Sequence, residues 1–408
     1  MTGTAFEELP AAPFLTPPRD PFLPMERADR RRLTAPVTRV RLPNGQPAWL
    51  VTGHAEIRQL LRHPGLSADA SRPGFPLLRP LPPPRSEADR QGLFIRMDGE
   101  EHARLRRMLT AEFMIKSIRR LEPMIQRTVD EALDAMLAAG PPADLVTSFA
   151  LPVPSMVICH LLGVPYEDHA FFQARSRRLL DQTIPAQEVL AAADELRDYL
   201  RTLIDRKRGS AERHDDLLSR LIRERVATGE LVANELVGIG LLLLVAGHET
   251  TANMIALSTL LLLRHPGHLD RLRAEPELAP GLVEELLRYL TIVRTGLPRL
   301  VVTDLELAGR TLRAGDGVIA LLPLANRDHA AFVDPDDFDP YREAHQHLAF
   351  GFGVHQCIGQ PLARAELRVA LVELARRLPG LRLAVPGDRV PAREHSVVYG
   401  LAELPVTW

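Results

Sequence analysis

Read from the N-terminus, the apolar and polar positions first give two short strand signals, Val37 to Leu42 and Ala48 to Val51, flanking Asn44-Gly45. An Asn-Gly pair between apolar runs is the strongest short-range sign of a hairpin, so a small sheet is expected there. Pro64 to Arg85 (PGLSADASRPGFPLLRPLPPPR) then holds seven of the 35 prolines, which excludes a helix interior and a central strand. This long loop reads as a polyproline surface stretch, a PxxP ligand or a loop over a pocket, and the last is favoured because long loops in compact domains are often functional. From Glu100 to about Arg225 apolar residues recur at helical spacing, as in Leu105, Met108, Leu109 and in Met124, Ile125, Val129, Leu133, Met136, Leu137. Breaks at Gly140-Pro141-Pro142 and Gly163-Val164-Pro165 divide that stretch into successive helices. Leu231 to about Arg264 is one long helical pattern ended by His265-Pro266-Gly267, and Pro280 to Leu290 is another with proline at its front. Beyond Leu297 come short β-rich pieces, then a turn-rich acidic stretch from Asn326 to Glu343, a final helix from about Ile358 to Leu378 and strand-like ends. With no internal repeat and no linker, the chain is expected to be one domain spanning 1–408, mainly α with a minor β lobe drawn from its two ends.

Composition narrows the class without naming a chemistry. The 408 residues are 46% hydrophobic and 25% charged, with 50 Lys+Arg against 52 Asp+Glu, a globular balance that gives no reason to expect nucleic acid as a partner. Lys116 and Lys207 are the only lysines, which leaves 48 arginines. So uniform a bias reflects a GC-rich genome, and each arginine has to be judged by position. The first 25 residues carry an early acidic pair, several prolines and no apolar run of signal-peptide length. The apolar stretch from Val237 to Gly247 is about half of the ~20 residues a bilayer crossing needs. The expectation is a cytoplasmic chain without a membrane anchor. Only Cys159 and Cys357 are present, which excludes a disulfide scaffold and a four-cysteine metal site.

The chemistry concentrates in two segments. Phe350-Gly351-Phe352-Gly353-Val354-His355-Gln356-Cys357-Ile358-Gly359 places a cysteine at the N-terminus of the last helix behind a glycine-rich turn. It is not a dinucleotide fingerprint, because the third glycine of G-x-G-x-x-G falls on Gln356. At a helix N-terminus unpaired N–H groups and the helix dipole favour a thiolate, a soft metal ligand of the kind that holds heme iron. Cys159, apolar on both sides, reads as core. Within the long helix stands Ala246-Gly247-His248-Glu249-Thr250-Thr251. The zinc motif H-E-x-x-H fails there because Ala252 occupies the second ligand position. A glycine, an acid and a β-branched alcohol in a leucine-rich helix are costly enough to suggest use.

FGFGVHQCIG resembles the cysteine loop of the cytochromes P450, Phe-x-x-Gly-x-x-x-Cys-x-Gly, met by Phe350, Gly353, Cys357 and Gly359, with further matching segments in order along nearly the whole chain. The resemblance implies a roughly triangular fold of about a dozen helices, with heme b (iron protoporphyrin IX) between the long helix and the last one and Cys357 as its axial metal ligand. Phe350, Gly351 and Gly359 would shape the loop. His102, Arg106, Arg299 and His355 would meet the propionates, and Ala246 and Gly247 would leave space for O2 and substrate. Glu249 and Thr250 match the catalytic acid-alcohol pair that delivers protons to dioxygen. Glu285 and Arg288, i,i+3 in EELLR, would pair with Arg342 as structural support beneath the cysteine loop. Substrate would touch the proline-rich loop, Phe94, Leu242, Val245, Ala246, the turn from Ile292 through Thr295 to Leu297, and Val397-Val398.

The implied reaction is hydroxylation or epoxidation of a hydrophobic small molecule (polyketide, macrolide, terpenoid or steroid-like) by O2. Two electrons would come from a ferredoxin and ferredoxin reductase, with docking on a patch of Arg104, Arg107, Arg364 and Arg368. Two rivals remain. A peroxide-dependent or non-oxygenating heme-thiolate enzyme predicts a disrupted acid-alcohol pair, and a non-catalytic heme sensor predicts an output region.

Overall fold

A computed structural model of the chain describes residues 9–12, 18, 20–31, 33, 35–78, 89–209, 212, 214–265 and 267–408. Among these, thirteen α-helices follow one another: α1 (Arg27–Arg30), α2 (His54–Arg62), α3 (Gly99–Thr110), α4 (Ile115–Ala139), α5 (Pro152–Leu162), α6 (His169–Leu180), α7 (Ala186–Arg208), α8 (Leu217–Leu221), α9 (Ala233–Arg264), α10 (His268–Ala274), α11 (Ala279–Leu290), α12 (Leu322–Ala325) and α13 (Gln360–Arg377). The short strands are β1 (Val37–Arg41), β2 (Pro47–Val51), β3 (Leu66–Ser67), β4 (Ala143–Asp144), β5 (Leu297–Val301), β6 (Leu305–Leu307), β7 (Arg310–Leu312), β8 (Gly317–Ala320), β9 (Arg382–Leu383) and β10 (Pro405–Thr407).

The Asn-Gly hairpin forms as read: β1 and β2 pair antiparallel from Val37↔Val51 to Arg41↔Pro47. β8 then adds parallel to β2 and antiparallel to β5, giving the order β1-β2-β8-β5-β3. Segments 37–67 and 297–320 thus share one sheet, whereas the C-terminal strand β10 pairs with β4 and β9 in a second sheet, and side chains of the five-stranded sheet contribute to two small apolar clusters separate from the large helical core.

The helical core forms around α9, which packs against α5, α7 and α13. Its first turn is closed by Glu235, whose side chain accepts the Val232 N–H at 3.0 Å, so the helix starts two residues after the apolar run at Leu231. By length and composition α9 could cross a membrane, yet 72% of its most apolar window is buried inside the protein. That is core burial of an all-round apolar helix.

A second close approach fixes the loop ahead of Phe94. A Cβ on Gly92 would lie 2.0 Å from the Glu235 carbonyl oxygen, and one on Gly238 would lie 1.9 Å from that of Gln91. Two backbones cross here at a distance only paired glycines permit.

Candidate active site

The cysteine loop is shaped by backbone before any side chain acts. Gly351 and Gly353 have φ of +70° and +73°, and a Cβ on Gly353 would lie 2.2 Å from the Leu61 carbonyl of α2, so glycine is required there. The loop closes where the Cys357 N–H donates to the Phe350 carbonyl at 2.9 Å. Phe350 itself is half-buried beneath the Arg364 guanidinium, 4.7 Å from its ring centre. Cys357 is solvent-accessible, although the protein around it removes much of its hydration. Burial raises the thiol pKa, opposed by the Gly359 N–H, then by Arg106, Arg364 and the Gln360 N–H. The helix N-terminus thus acts on the sulfur in the direction the sequence suggested, and a bound metal would compensate the charge that burial disfavours. Cys159 is buried in α5 and pushed up to about 12 by burial, Asp168 and Glu167, an inert core thiol.

Next to the loop is a cluster short of negative charge. His102 of α3 is buried, its ring 4.1 Å from that of His355 between centroids, and its Nε2 has no hydrogen-bond partner. Arg106, one turn on, donates to the Gln356 carbonyl at 2.5 Å. Arg299 of β5 donates to the adjacent Pro298 carbonyl at 2.8 Å. Burial lowers Arg299 to about 10, and burial with Arg299, His102 and Arg106 nearby lowers His355 to about 3. Among the described residues Asp98 is the carboxylate acting on Arg299 and His102, and it is already committed. Its Oδ1 accepts the Ala68 N–H at 2.8 Å and its Oδ2 the Ser67 hydroxyl. Half-buried cations beside an unpartnered buried imidazole nitrogen suit an anionic ligand.

Along the middle of α9, Leu242, Val245, Ala246, Gly247 and Thr250 keep accessible surface among buried neighbours, and the spacing of Leu242, Val245, Ala246 and Thr250 puts those four on one face. The Thr250 hydroxyl donates to the Ala246 carbonyl at 2.7 Å. Gly247 departs from expectation. A side chain there would grow toward Ile158 of α5, 2.7 Å from its Cδ1, so the missing Cβ serves helix packing and Ala246 keeps the open face clear. Glu249 is fully buried, its Oε2 accepting from Arg393 at 3.1 Å and its Oε1 3.8 Å from the Arg177 Nε.

A family model described as Cytochrome P450 matches residues 34–402. The chain belongs to the cytochrome P450 family. Cytochrome P450-SU2 of Streptomyces griseolus is 53% identical over 392 residues, 96% of this chain and 95% of that one. Pentalenic acid synthase of Streptomyces avermitilis is 51% identical, covering 95% of each. The solved structure of mycinamicin VIII C21 methyl hydroxylase from Micromonospora griseorubida, bound to mycinamicin VIII, superposes with a TM-score of 0.88 at 41% identity, covering 94% of this chain and 96% of that one. The fold is the P450 fold and the enzyme is a P450 monooxygenase, a class whose family property is a heme-iron cofactor.

Within this P450, Glu285 and Arg288 are both fully buried and paired through two contacts, 2.6 and 2.8 Å, and the Arg342 Nε reaches Glu285 at 3.2 Å. The Ile292 carbonyl accepts the Tyr399 N–H at 2.9 Å, which joins the turn through Thr295 and Leu297 to the segment of Val397 and Val398. Leu297 also abuts the cysteine loop, 3.3 Å from where a Cβ on Gly351 would sit. Phe94 is buried, its ring 6.4 Å from that of His102.

Two expectations are revised. Residues 79–85 of the proline-rich loop lie outside the described residues. The part before them lies along the sheet, with β3 paired to β5 and Pro76 close against Gly317 of β8. The arginine patch is largely neutralised: Arg104 pairs with Glu235, Arg364 with Glu284 at 2.6 Å and Arg368 with Glu122 at 3.0 Å. Sequence reasoning also missed Arg393 and Arg177. The usable signal was indirect, since an acid in an apolar helix requires a buried cation, but nothing local says which arginine supplies it.

Proposed function

We propose that this P450 binds heme b through a Cys357 thiolate. It hydroxylates or epoxidises a hydrophobic small molecule in the cytoplasm, with O2 and two electrons from a ferredoxin and its reductase. The net reaction is RH + O2 + two electrons + two protons giving ROH + H2O. The observation that carries this reading is the convergence of an accessible Cys357 with a buried His102 and half-buried Arg106, Arg299 and His355, a cluster short of negative charge. These residues fit the iron and the two carboxylates of a heme.

When bound, the heme supplies the oxygen-activating redox chemistry. The chain's own residues do the rest. Gly359 and Gln360 direct N–H groups at the sulfur and temper its donation. His102, Arg106, Arg299 and His355 hold the propionates. Leu242, Val245 and Ala246 offer an apolar wall for substrate beside Phe94, Ile292, Thr295, Leu297, Val397 and Val398. Thr250 presents a hydroxyl on that face, and Glu249 behind it relays protons toward that hydroxyl. Relatives named for pentalenic acid and for a mycinamicin support a terpenoid or macrolide-like substrate.

The redox partner is assigned a different surface from the one the sequence suggested. Arg58 and Arg62 of α2 lie over the Phe352 ring at 4.7 and 4.5 Å beside the exposed Val354, which puts cations on the outer side of the cysteine loop, suited to an acidic ferredoxin. Reversing both charges should slow electron transfer and flatten its salt dependence.

The reduced protein should give the carbon monoxide difference band of a thiolate-ligated heme, and absence of that band refutes the assignment. Thr250→Ala should retain the band while about 10–100-fold more of the electron flow ends in peroxide, as loss of a proton-transfer group implies. Unchanged coupling overturns the role given to Thr250.

A further inference from the structure

Two buried atoms next to Thr250 in the chain, His248 Nε2 and Glu249 Oε1, face one another without a hydrogen bond. His248 is fully buried in α9, and its Nδ1 lies 2.6 Å from the Leu244 carbonyl oxygen. A carbonyl only accepts, so Nδ1 carries the ring proton and Nε2 presents a lone pair. Nothing donates to it. The ring meets Phe172 of α6 edge-on at 5.3 Å, and the polar atom facing Nε2 is Glu249 Oε1, 3.9 Å away, itself buried, without a hydrogen bond and 3.8 Å from the Arg177 Nε.

While Glu249 is a carboxylate this is acceptor against acceptor. A proton on Oε1 turns the same geometry into a donor aimed at a lone pair, and a small side-chain shift closes the gap. The other oxygen, Oε2, is the one Arg393 holds. The charged groups facing the pair are Arg177 from α6 and Arg393 from the C-terminal segment. Both are cations that favour the carboxylate. Burial holds the His248 imidazole below its ordinary pKa, which keeps Nε2 free to accept.

We propose that His248 is a positioning residue for proton delivery, accepting the O–H of protonated Glu249 at Nε2 while Arg393 holds the ionised form at Oε2. The inference rests on the reading of Glu249 and Thr250 as the proton-delivery pair. A partner for the neutral acid raises its proton affinity, so removing that partner lowers the pKa of Glu249. The alkaline limb of coupled turnover then moves to lower pH.

The test uses the heme-loaded enzyme and the variants His248→Phe, His248→Gln and Glu249→Gln. Infrared difference spectra across pH follow the carboxylic acid band that Glu249→Gln removes. In His248→Phe its midpoint, and with it the alkaline limb of product formed per electron, should fall by about one pH unit, a tenfold loss of proton affinity. His248→Gln, whose amide oxygen still accepts, should stay near wild type. A His248→Phe enzyme with full heme content and an unshifted band overturns the proposal, as does a His248→Gln enzyme that behaves like it. Should the Phe variant fail to load heme, 15N NMR of the wild-type ferrous carbon monoxide form decides. An unprotonated Nε2 that shifts along with the Glu249 band supports the proposal, and a protonated Nε2 refutes it. Unchanged coupling in Glu249→Gln would instead refute the proton-delivery reading, so the two failures separate.

Discussion

Two arginine-centred clusters in this P450, one fully buried and one half-buried, are built on opposite terms. Around Glu285 every charge is met. Arg288 binds the carboxylate twice and also donates to the carbonyls of Asn326, Pro335 and Asp337 at 2.7, 2.7 and 3.1 Å, while Arg342 and the Asp339 N–H complete Glu285. Around Arg299 the charges are not met. Burial lowers its pKa to about 10, the neighbouring His102 lacks a partner at Nε2, and Asp98 is occupied by Ser67 and Ala68. A polar network complete without a ligand holds the fold together. One left short of negative charge stores binding energy for an anion.

Deleting a member of the complete cluster should therefore have the largest effect. Glu285→Ala strands the buried Arg288 and should cost about 3–5 kcal/mol, seen as a collapse of the thermal midpoint and loss of folded protein. Glu285→Leu with Arg288→Met together should cost less than Glu285→Ala alone, because no charge is left unpaired. Arg299→Leu should show the reverse profile. The heme-free protein should melt at or above the wild-type temperature, while transfer of heme to an apomyoglobin trap quickens roughly 10–100-fold, the worth of a charge-assisted hydrogen bond at about 1.5–3 kcal/mol. If Arg299→Leu melts early instead, the two clusters do not differ in kind.

The smallest effect concerns acid. Burial opposes ionisation of Glu284, but hydrogen bonds from His347 and Arg364 hold its carboxyl down to about 2 against an ordinary 4.5. His347 is itself kept neutral by burial and accepts the Ala349 N–H at Nδ1, so it donates from Nε2. A depressed carboxyl contributes stability that is full above its unfolded pKa and is lost as pH falls from about 4.5 to about 2. Glu284→Gln should remove on the order of 1–3 kcal/mol of that slope. Acid titration of unfolding free energy by circular dichroism checks it, and equal slopes in both proteins would count against the assignment.

Legibility followed distance along the chain. The Asn-Gly hairpin, the long helix, the cysteine turn and the Glu285–Arg288 face are local patterns and could be read directly. Arg342 became visible only through family resemblance. Arg327 was invisible: it is fully buried, donates to the Phe22 and Tyr289 carbonyls at 3.0 and 2.9 Å and stacks 3.7 Å from the Tyr289 ring, but it is one of 48 arginines with no periodic signal. The ion pairs of the expected docking patch were hidden for the same reason. Glu235, Glu284 and Glu122, which neutralise it, lie on other helices, and pairing across helices leaves no mark in sequence spacing.

The crossing of Gly92 and Gly238 has an engineering consequence. Upstream, Asp98 clasps Ser67 and Ala68. Downstream, the paired glycines clamp Gln91 and Gly92 to the long helix. The segment between these two joints is thereby anchored at both of its ends, at Ser67-Ala68 and at Gln91-Gly92. It is the natural cassette for grafting loops from relatives: swaps within residues 69–90 should redirect which molecules are admitted and leave the oxidising machinery intact, whereas libraries that alter either joint should forfeit it.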